Sequence, residues 1–306
     1  MSAEEHANLL AALSADLADA VERASQSVVG VDARRRVPGT GIVWPEGGIV
    51  VTADHVIERH DEISLVTSGG HRIGATLIGR DPGSDVAVLR PASAAGRPAE
   101  LAPAESARVG SLALAIGRTA SGATSASFGI ISAVGGSWRS MRGGAIDSYL
   151  RADLTLYPGY SGGPIVDASG RVMGMNSSHL AGGQSVALPT AVVRGIVDAL
   201  VAHGRIRRAY LGVTSRPIEV PEALREKAHV DQQTGLLLLS VEPGSPADRG
   251  GLFLGDVLLA VNDRPVTHPE ALQAALGADL VGKHVTLRLL RGGEVRDLSV
   301  TPGERE

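Results

Sequence analysis

The sequence predicts a mostly β protein, an all-β barrel or sandwich followed by a smaller α+β unit, and three observations predict it. From about residue 27 to 188, short apolar runs alternate with turns of Gly, Pro, Asp and Ser, the pattern of hairpin-connected strands. From Ala191 to His203, apolar residues Val192, Val193, Ile196, Val197, Leu200 and Val201 recur at helical spacing, so a helix closes this body. After residue 209, strands alternate with helix, the habit of a small α+β domain.

Between residues 3 and 25, Leu10, Leu13, Leu17, Val21 and Ala24 lie three or four apart, which places them on one stripe of an amphipathic helix. Such a stripe packs on the body or joins copies of the chain. Ile42 to Trp44 and Ile49 to Thr52 flank the turn Pro45-Glu-Gly-Gly48. Ile63 to Thr67 and Arg72 to Ile78 flank Ser68-Gly-Gly-His71, so meander hairpins are expected. Ser111 to Ile116, Ser125 to Val134, Tyr149 to Leu154, Pro164 to Asp167 and Arg171 to Asn176 read as further strands. Thr190 is placed to cap the closing helix and Gly204 to end it. Residues 205–208, Arg-Ile-Arg-Arg, form a short basic linker. Beyond it Gly235 to Val241, Asp256 to Val261 and Val285 to Leu290 read as strands and Pro269 to Gly277 as a helix, with Thr267 and Glu270 spaced as a capping box.

A chain of 306 residues, 43% hydrophobic, can bury the cores of two or three domains. A net charge of −4 gives no general basic field, so nucleic acid is not an expected partner, and Arg34-Arg35-Arg36 reads as a solvated turn. Without cysteine there are no disulfides and no thiolate zinc sites. No stretch has the ~20 apolar residues of a membrane span and the first residues lack a secretory pattern, so the sequence as written reads as cytoplasmic, or periplasmic or exported if a leader has been removed.

The chemistry concentrates in Pro158 to Asp167, Pro-Gly-Tyr-Ser-Gly-Gly-Pro-Ile-Val-Asp. Ser161 is the candidate nucleophile, which needs a general base and donors for the oxyanion. Gly159 can turn its N–H inward beside that of Ser161, while Gly162 and Gly163 admit close backbone approach. Upstream, His55 in Val51-Thr-Ala-Asp-His-Val-Ile57 and Asp85 in Asp81-Pro-Gly-Ser-Asp-Val-Ala-Val-Leu89 stand at strand edges, as base and as its orienting carboxylate. Of the convergent triads, the order His, Asp, Ser is that of the chymotrypsin arrangement.

Thr52-Ala-Asp-His55, Ser84-Asp-Val-Ala-Val-Leu89 and Gly159-Tyr-Ser-Gly-Gly-Pro164 resemble the HtrA (Deg) branch of the chymotrypsin-like serine proteases. Ser27-Val-Val-Gly-Val31, Gly39-Thr-Gly-Ile42, Gly129-Ile-Ile-Ser-Ala133 and Tyr210-Leu-Gly-Val213 extend the resemblance over nearly everything after residue 20. It implies two six-stranded barrels with His55 and Asp85 in the first and Ser161 in the second, over residues 27–204. It implies a PDZ domain over 209–306, carried by Gly244-Ser-Pro-Ala-Asp248, Gly255-Asp-Val-Leu258 and Val261-Asn-Asp-Arg-Pro-Val266. There Tyr210, Leu211, Gly212 and Val213 would hold a peptide carboxylate, the next strand edge would accept the peptide, and Leu272 and Leu276 would wall the groove or pack the core.

The expected reaction is hydrolysis of peptide bonds in unfolded protein. Ser161 attacks, His55 accepts and returns the proton, Asp85 fixes the imidazole, Gly159 and Ser161 hold the oxyanion, and no cofactor or metal is required. Thr155 stands six residues before Ser161, followed by Leu156, so a basic side chain would find no counter-ion and a small or aliphatic one is expected at the cleaved position. His179 lies in the stretch Ser177 to Gln184 expected beside that pocket; the other histidines show no metal-ligand spacing. HtrA proteases form trimers through aromatic residues near the start of the protease domain, where this chain has only Trp44, which leaves a homotrimer open. Tyr160 stands where HtrA proteases commonly carry Asn, and Pro158 stiffens the approach to Gly159. A Gly159 N–H turned away would leave a peptide-binding chaperone or scaffold that does not cleave.

Overall fold

The computed structural model describes residues 3–34, 37–59, 62–119, 121–140, 145–181, 185–206, 209–277 and 280–304. The chain forms two compact units, Met1–Ile206 and Arg207–Glu306. Arg35, Arg36, His60, Gln184 and the last two residues of the 205–208 linker lie outside the described residues.

The first unit opens with helix α1 (Ala3–Ser25). Strands β1 (Val28–Asp32), β2 (Gly39–Val43), β3 (Val50–Thr52), β4 (Ile63–Val66), β5 (Arg72–Asp81) and β6 (Val86–Pro91) close into a barrel in the order β1-β2-β3-β6-β5-β4. The expected hairpins are present, with Ile42 opposite Val51 and Val66 opposite Arg72. Strands β7 (Leu112–Arg118) and β8 (Thr124–Gly135) begin a second barrel, and the short pair β9 (Trp138–Arg139) and β10 (Ala145–Ile146) follows them. Strands β11 (Tyr149–Asp153), β12 (Pro164–Val166), β13 (Val172–Ser177) and β14 (Val186–Pro189) close this barrel in the order β11-β14-β13-β12-β7-β8. Helix α2 (Thr190–His203) ends at Gly204, whose φ of 72° and N–H to the Leu200 carbonyl make the left-handed cap that glycine supplies.

Thr190 does not cap this helix; it is its first residue, the cap position belongs to Pro189, and no side chain closes the end. The cause is that β14 pairs through Pro189, opposite Gly174, so no loop residue is left to turn back on the helix.

Val29, Leu65 and Leu89 fill the first barrel, and Ile131, Ile165 and Ala187 lie in the core of the second. A third cluster gathers Trp44, Ile116, Met175, Val193 and Leu200 with Ala20 and Ala24 of α1. Only the C-terminal half of the α1 stripe is packed: Leu17 and Val21 lie against the core, whereas Leu10 and Leu13 are exposed.

One buried cation ties α1 to the barrels. Arg118, 3% exposed, donates from Nε to the Val28 carbonyl, from Nη1 to Gly122 and from Nη2 to Ser25 at the last turn of the helix. Three carbonyls stand in for a carboxylate, and burial pulls the guanidinium below its usual value.

The second unit contains β15 (Ala209–Tyr210), β16 (Val213–Glu219), α3 (Glu222–Ala228), β17 (Thr234–Val241), α4 (Pro246–Arg249), β18 (Val257–Val261), β19 (Arg264–Pro265), α5 (Pro269–Ala275), β20 (Val285–Arg291), β21 (Glu294–Val300) and β22 (Gly303–Glu304). Its main sheet runs β16-β17-β18-β20-β21, which leaves β16 as an edge. The expected capping box is not formed: His268 occupies the cap position immediately before Pro269, and the Thr267 hydroxyl bonds His268 Nδ1 at 2.9 Å instead. Helix α5 also stops at Ala275, two residues short of Gly277.

Replacing Arg118 with Ala orphans three carbonyls, two of them buried with it. The expected loss is about 3 kcal/mol, which for a unit of this size lowers the melting temperature by roughly 6–12 °C. Differential scanning calorimetry of the full chain checks it.

Candidate active site

Three segments from the two barrels build the site. His55 sits in a 3₁₀ turn, Asp54–Val56, directly after β3. The turn is held from below because Asp54, fully buried, pairs with Arg80 of β5 and its N–H donates to the Asp85 carbonyl at 3.1 Å. Asp85 lies between β5 and β6 with φ of 57°, a left-handed backbone that aspartate tolerates better than most residues. The buried Asp81 carboxylate fixes that turn by accepting from the Ser84 hydroxyl at 2.6 Å and from the Ser84 N–H at 2.9 Å.

These supports bring His55 and Asp85 together. His55 Nδ1 is 2.9 and 2.8 Å from the two carboxylate oxygens of Asp85, and the His55 backbone N–H donates to Oδ1 at 3.0 Å. The Ser177 hydroxyl, at the end of β13, donates to Oδ2. Burial by itself raises the Asp85 carboxyl, yet the bond and charge of His55 and the Ser177 bond outweigh it and hold the group below the ordinary aspartate value. An ionised carboxylate fixed on Nδ1 leaves Nε2 of the same ring as the acceptor.

Ser161 stands on the loop from β11 to β12, 7% exposed. The loop is two successive turns. Tyr160 N–H donates to the Tyr157 carbonyl across Pro158 and Gly159, and Gly163 N–H donates to the Tyr160 carbonyl across Ser161 and Gly162. Gly159 and Gly162 have φ of 96° and 83°. Proline second and a positive-φ glycine third is the sequence a type II turn favours, so Pro158 fits this turn. A Cβ on Gly162 would lie 2.2 Å from the Thr40 carbonyl, and one on Gly163 2.4 Å from that of Ile116. Among the described residues the N–H groups of Gly159 and Ser161 donate to no acceptor.

Ser161 Oγ is not hydrogen-bonded to His55. It lies 2.9 Å from Ser178 Oγ and accepts from Ser178 N–H at 3.3 Å. The His179 ring stacks on His55 with centroids 3.6 Å apart and planes 23° from parallel. Of the other expected pocket residues, Thr155 is exposed and gives its carbonyl to the Ser127 hydroxyl at 2.6 Å, and Leu156 is half-buried.

Thr40 escaped the sequence reading as a site residue. Its hydroxyl donates to the Gly159 carbonyl and accepts from Arg118 N–H, while its N–H donates to the Ser161 carbonyl. Ser177 and Ser178 were read only as part of the stretch Ser177 to Gln184 beside the pocket; their bonds to Asp85 and Ser161 were not.

In the second unit, Gly212 has φ of 84°, Leu211 is buried, and Tyr210 and Val213 are half-buried beside the edge strand β16. The Tyr210 hydroxyl bonds Glu242. Leu272 and Leu276, 6% and 7% exposed, belong to the unit's core.

Residues 39–175 match the model of the trypsin-like peptidase domain and residues 209–301 that of the PDZ domain. A probable periplasmic serine endoprotease, DegP-like, of Halomonas elongata is 33% identical over 280 residues, 90% of this chain and 58% of that protein. The periplasmic serine endoprotease DegP of Escherichia coli is 31% identical over 263 residues, 84% of this chain and 55% of that one. The chain thus spans little more than half the length of these relatives. Among solved structures, the serine endoprotease from Yersinia pestis superposes with a TM-score of 0.78 at 28% identity, covering 95% of this chain and 98% of that one. The HtrA-type protease AlgW with a decapeptide gives 0.77 at 25%, covering 95% and 99%.

The folded pKa of Asp85 lies below its unfolded value, so the stability it contributes is complete above about pH 4 and is lost as the pH falls through the folded value. The stability gap between the protein and Asp85→Asn, read by urea denaturation, is expected to persist down to about pH 5 and to close below about pH 4.

Proposed function

We propose that this chain, which belongs to the HtrA-type serine proteases, is an endopeptidase that cleaves unfolded protein with residues 27–204 and binds peptide C-termini with its PDZ domain, residues 209–306. The observation that carries the reading is the Asp85 carboxylate fixed on His55 Nδ1, with Ser161 on a loop where its own N–H and that of Gly159 are unclaimed among the described residues.

Ser161 leaves Ser178 by rotating about its Cα–Cβ bond and bonds His55 Nε2. As the hydroxyl attacks the peptide carbonyl, its proton passes to Nε2, and Asp85 stabilises the imidazolium. The N–H groups of Gly159 and Ser161 receive the oxyanion. His55 then protonates the leaving amine, and water releases the acyl group by the reverse route. Thr155 and Leu156 offer no carboxylate to a basic side chain, and His179 bounds the cleft beside the base, which favours small or aliphatic residues at the cleaved position. At the second unit, the turn of Tyr210, Leu211, Gly212 and Val213 takes the terminal carboxylate and the β16 edge adds the peptide as a strand. The relatives' names point to an exported or periplasmic setting; among the described residues no helix is long and apolar enough to cross a membrane. The homotrimer of the family is the assembly that light scattering on the full chain tests.

The Ser161–Ser178 bond favours one competing reading, a peptide-binding chaperone or scaffold that does not cleave. Capture of Ser161 by a fluorophosphonate probe separates the two.

Ser161→Ala and His55→Ala are each expected to lower turnover of an unfolded substrate by about 10⁴ to 10⁶, because the triad acts as one unit. Activity should be lost toward acid pH, since the base must be neutral to accept the serine proton. Undiminished cleavage by Ser161→Ala, with contaminant proteases excluded, overturns the serine mechanism. A peptide with a free apolar C-terminus should outcompete its amidated twin for the PDZ domain, read by fluorescence anisotropy.

A further inference from the structure

Tyr160 precedes the proposed nucleophile, and its backbone belongs to both turns of the loop, as donor to Tyr157 and acceptor from Gly163. Its side chain runs the other way, into the second barrel, and is 3% exposed. The ring lies on Gly117 of β7, where a Cβ would come within 2.5 Å of it, and meets Tyr157 edge-on at 5.6 Å between centroids. The hydroxyl reaches Ser125 Oγ of β8 at 2.6 Å. Ser125 is the strand partner of Gly117, so the ring crosses β7 at its one position without a side chain to reach the next strand.

The Ser161 to Gly163 end of the loop is tightly enclosed, whereas its Pro158–Gly159 end is less so. A cavity of about 170 Å³ adjoins Gly159, lined in part by Val37, Pro38, Thr119, Tyr157 and Pro158. The peptide joining Pro158 to Gly159 therefore borders open space. Its fixed points are the Tyr160 N–H bond to the Tyr157 carbonyl, the Thr40 bond to the Gly159 carbonyl and the Tyr160 side chain. Burial raises the Tyr160 hydroxyl above the usual tyrosine value despite the Ser125 bond, which keeps it a neutral donor or acceptor at working pH.

We propose that Tyr160 is the positioning residue of the oxyanion site, its hydroxyl anchored on Ser125 so that the Gly159 N–H is held beside that of Ser161. The inference rests on the serine-protease reading above. It assigns to a tyrosine and a serine on a neighbouring strand the work of presenting the donors that stabilise the transition state.

Tyr160→Phe keeps the ring and removes only the hydroxyl; Ser125→Ala removes its partner. In the full chain, with a short peptide substrate, both variants should lose about tenfold in kcat with KM within twofold of wild type. Fluorophosphonate capture should slow by a similar factor, and the midpoint of the pH profile should not move. The double variant should be no worse than either single one, because one bond is removed in all three. Wild-type kcat in both single variants, a loss confined to KM, or losses that multiply in the double variant would overturn the proposal. Hydrogen exchange by mass spectrometry gives a readout independent of cleavage. Faster exchange confined to residues 157–163 in both variants supports the anchor, and unchanged exchange there sinks it. If the wild type neither cleaves nor is captured, the serine-protease reading has failed, and the exchange experiment still decides whether Tyr160 holds the loop.

Discussion

A carboxylate that is 1% exposed can stay ionised only if nearly every lone pair is met, and the geometry of this site follows from how Asp85 meets that demand. Its donors come from both barrels: the backbone and ring of His55 from the first, the Ser177 hydroxyl from the second. Satisfying the charge therefore fixes the imidazole and joins the two barrels at one point. The same demand shapes the chain locally, since Asp85 accepts a left-handed backbone and Asp81 spends its own carboxylate on the turn that holds it there. Two buried aspartates four residues apart are thus used differently, one on the proposed base and one on the turn beneath.

The loop carrying Ser161 obeys a steric constraint instead. It is pressed between the Thr40 carbonyl of the first barrel and the Ile116 carbonyl of the second, so Gly162 and Gly163 admit no side chain. Thr40 then acts at three points, bonding Gly159 with its hydroxyl, Ser161 with its N–H, and Arg118 as an acceptor. Arg118 in turn carries the connection to the last turn of α1, so the N-terminal helix is linked to the loop through two residues.

In the resting arrangement Ser161 and His55 each have a neighbour other than the other. Ser161 is partnered by Ser178, and His179 covers the His55 ring. Both residues lie within two positions of Ser177, so the segment that completes the Asp85 shell also contacts Ser161 and His55.

Much of this protein was legible in its sequence because the signals are local. A positive-φ turn needs glycine and hairpins need their turn residues, so the barrels' strands and Gly204 could be read in order, and the structure brings the expected His55 and Asp85 together. The expected caps on α2 and α5 failed because strand pairing through Pro189 and the position of Pro269 decided those ends. What the sequence could not disclose depends on residues far apart in the chain. Thr40 meets Gly159 across 119 residues, Ser177 meets Asp85 across 92, and the Tyr160 hydroxyl finds Ser125 across 35. A serine or threonine hydroxyl has no periodicity or spacing that announces its partner; only the closing of the two barrels selects it, by burying a polar group that must then be satisfied.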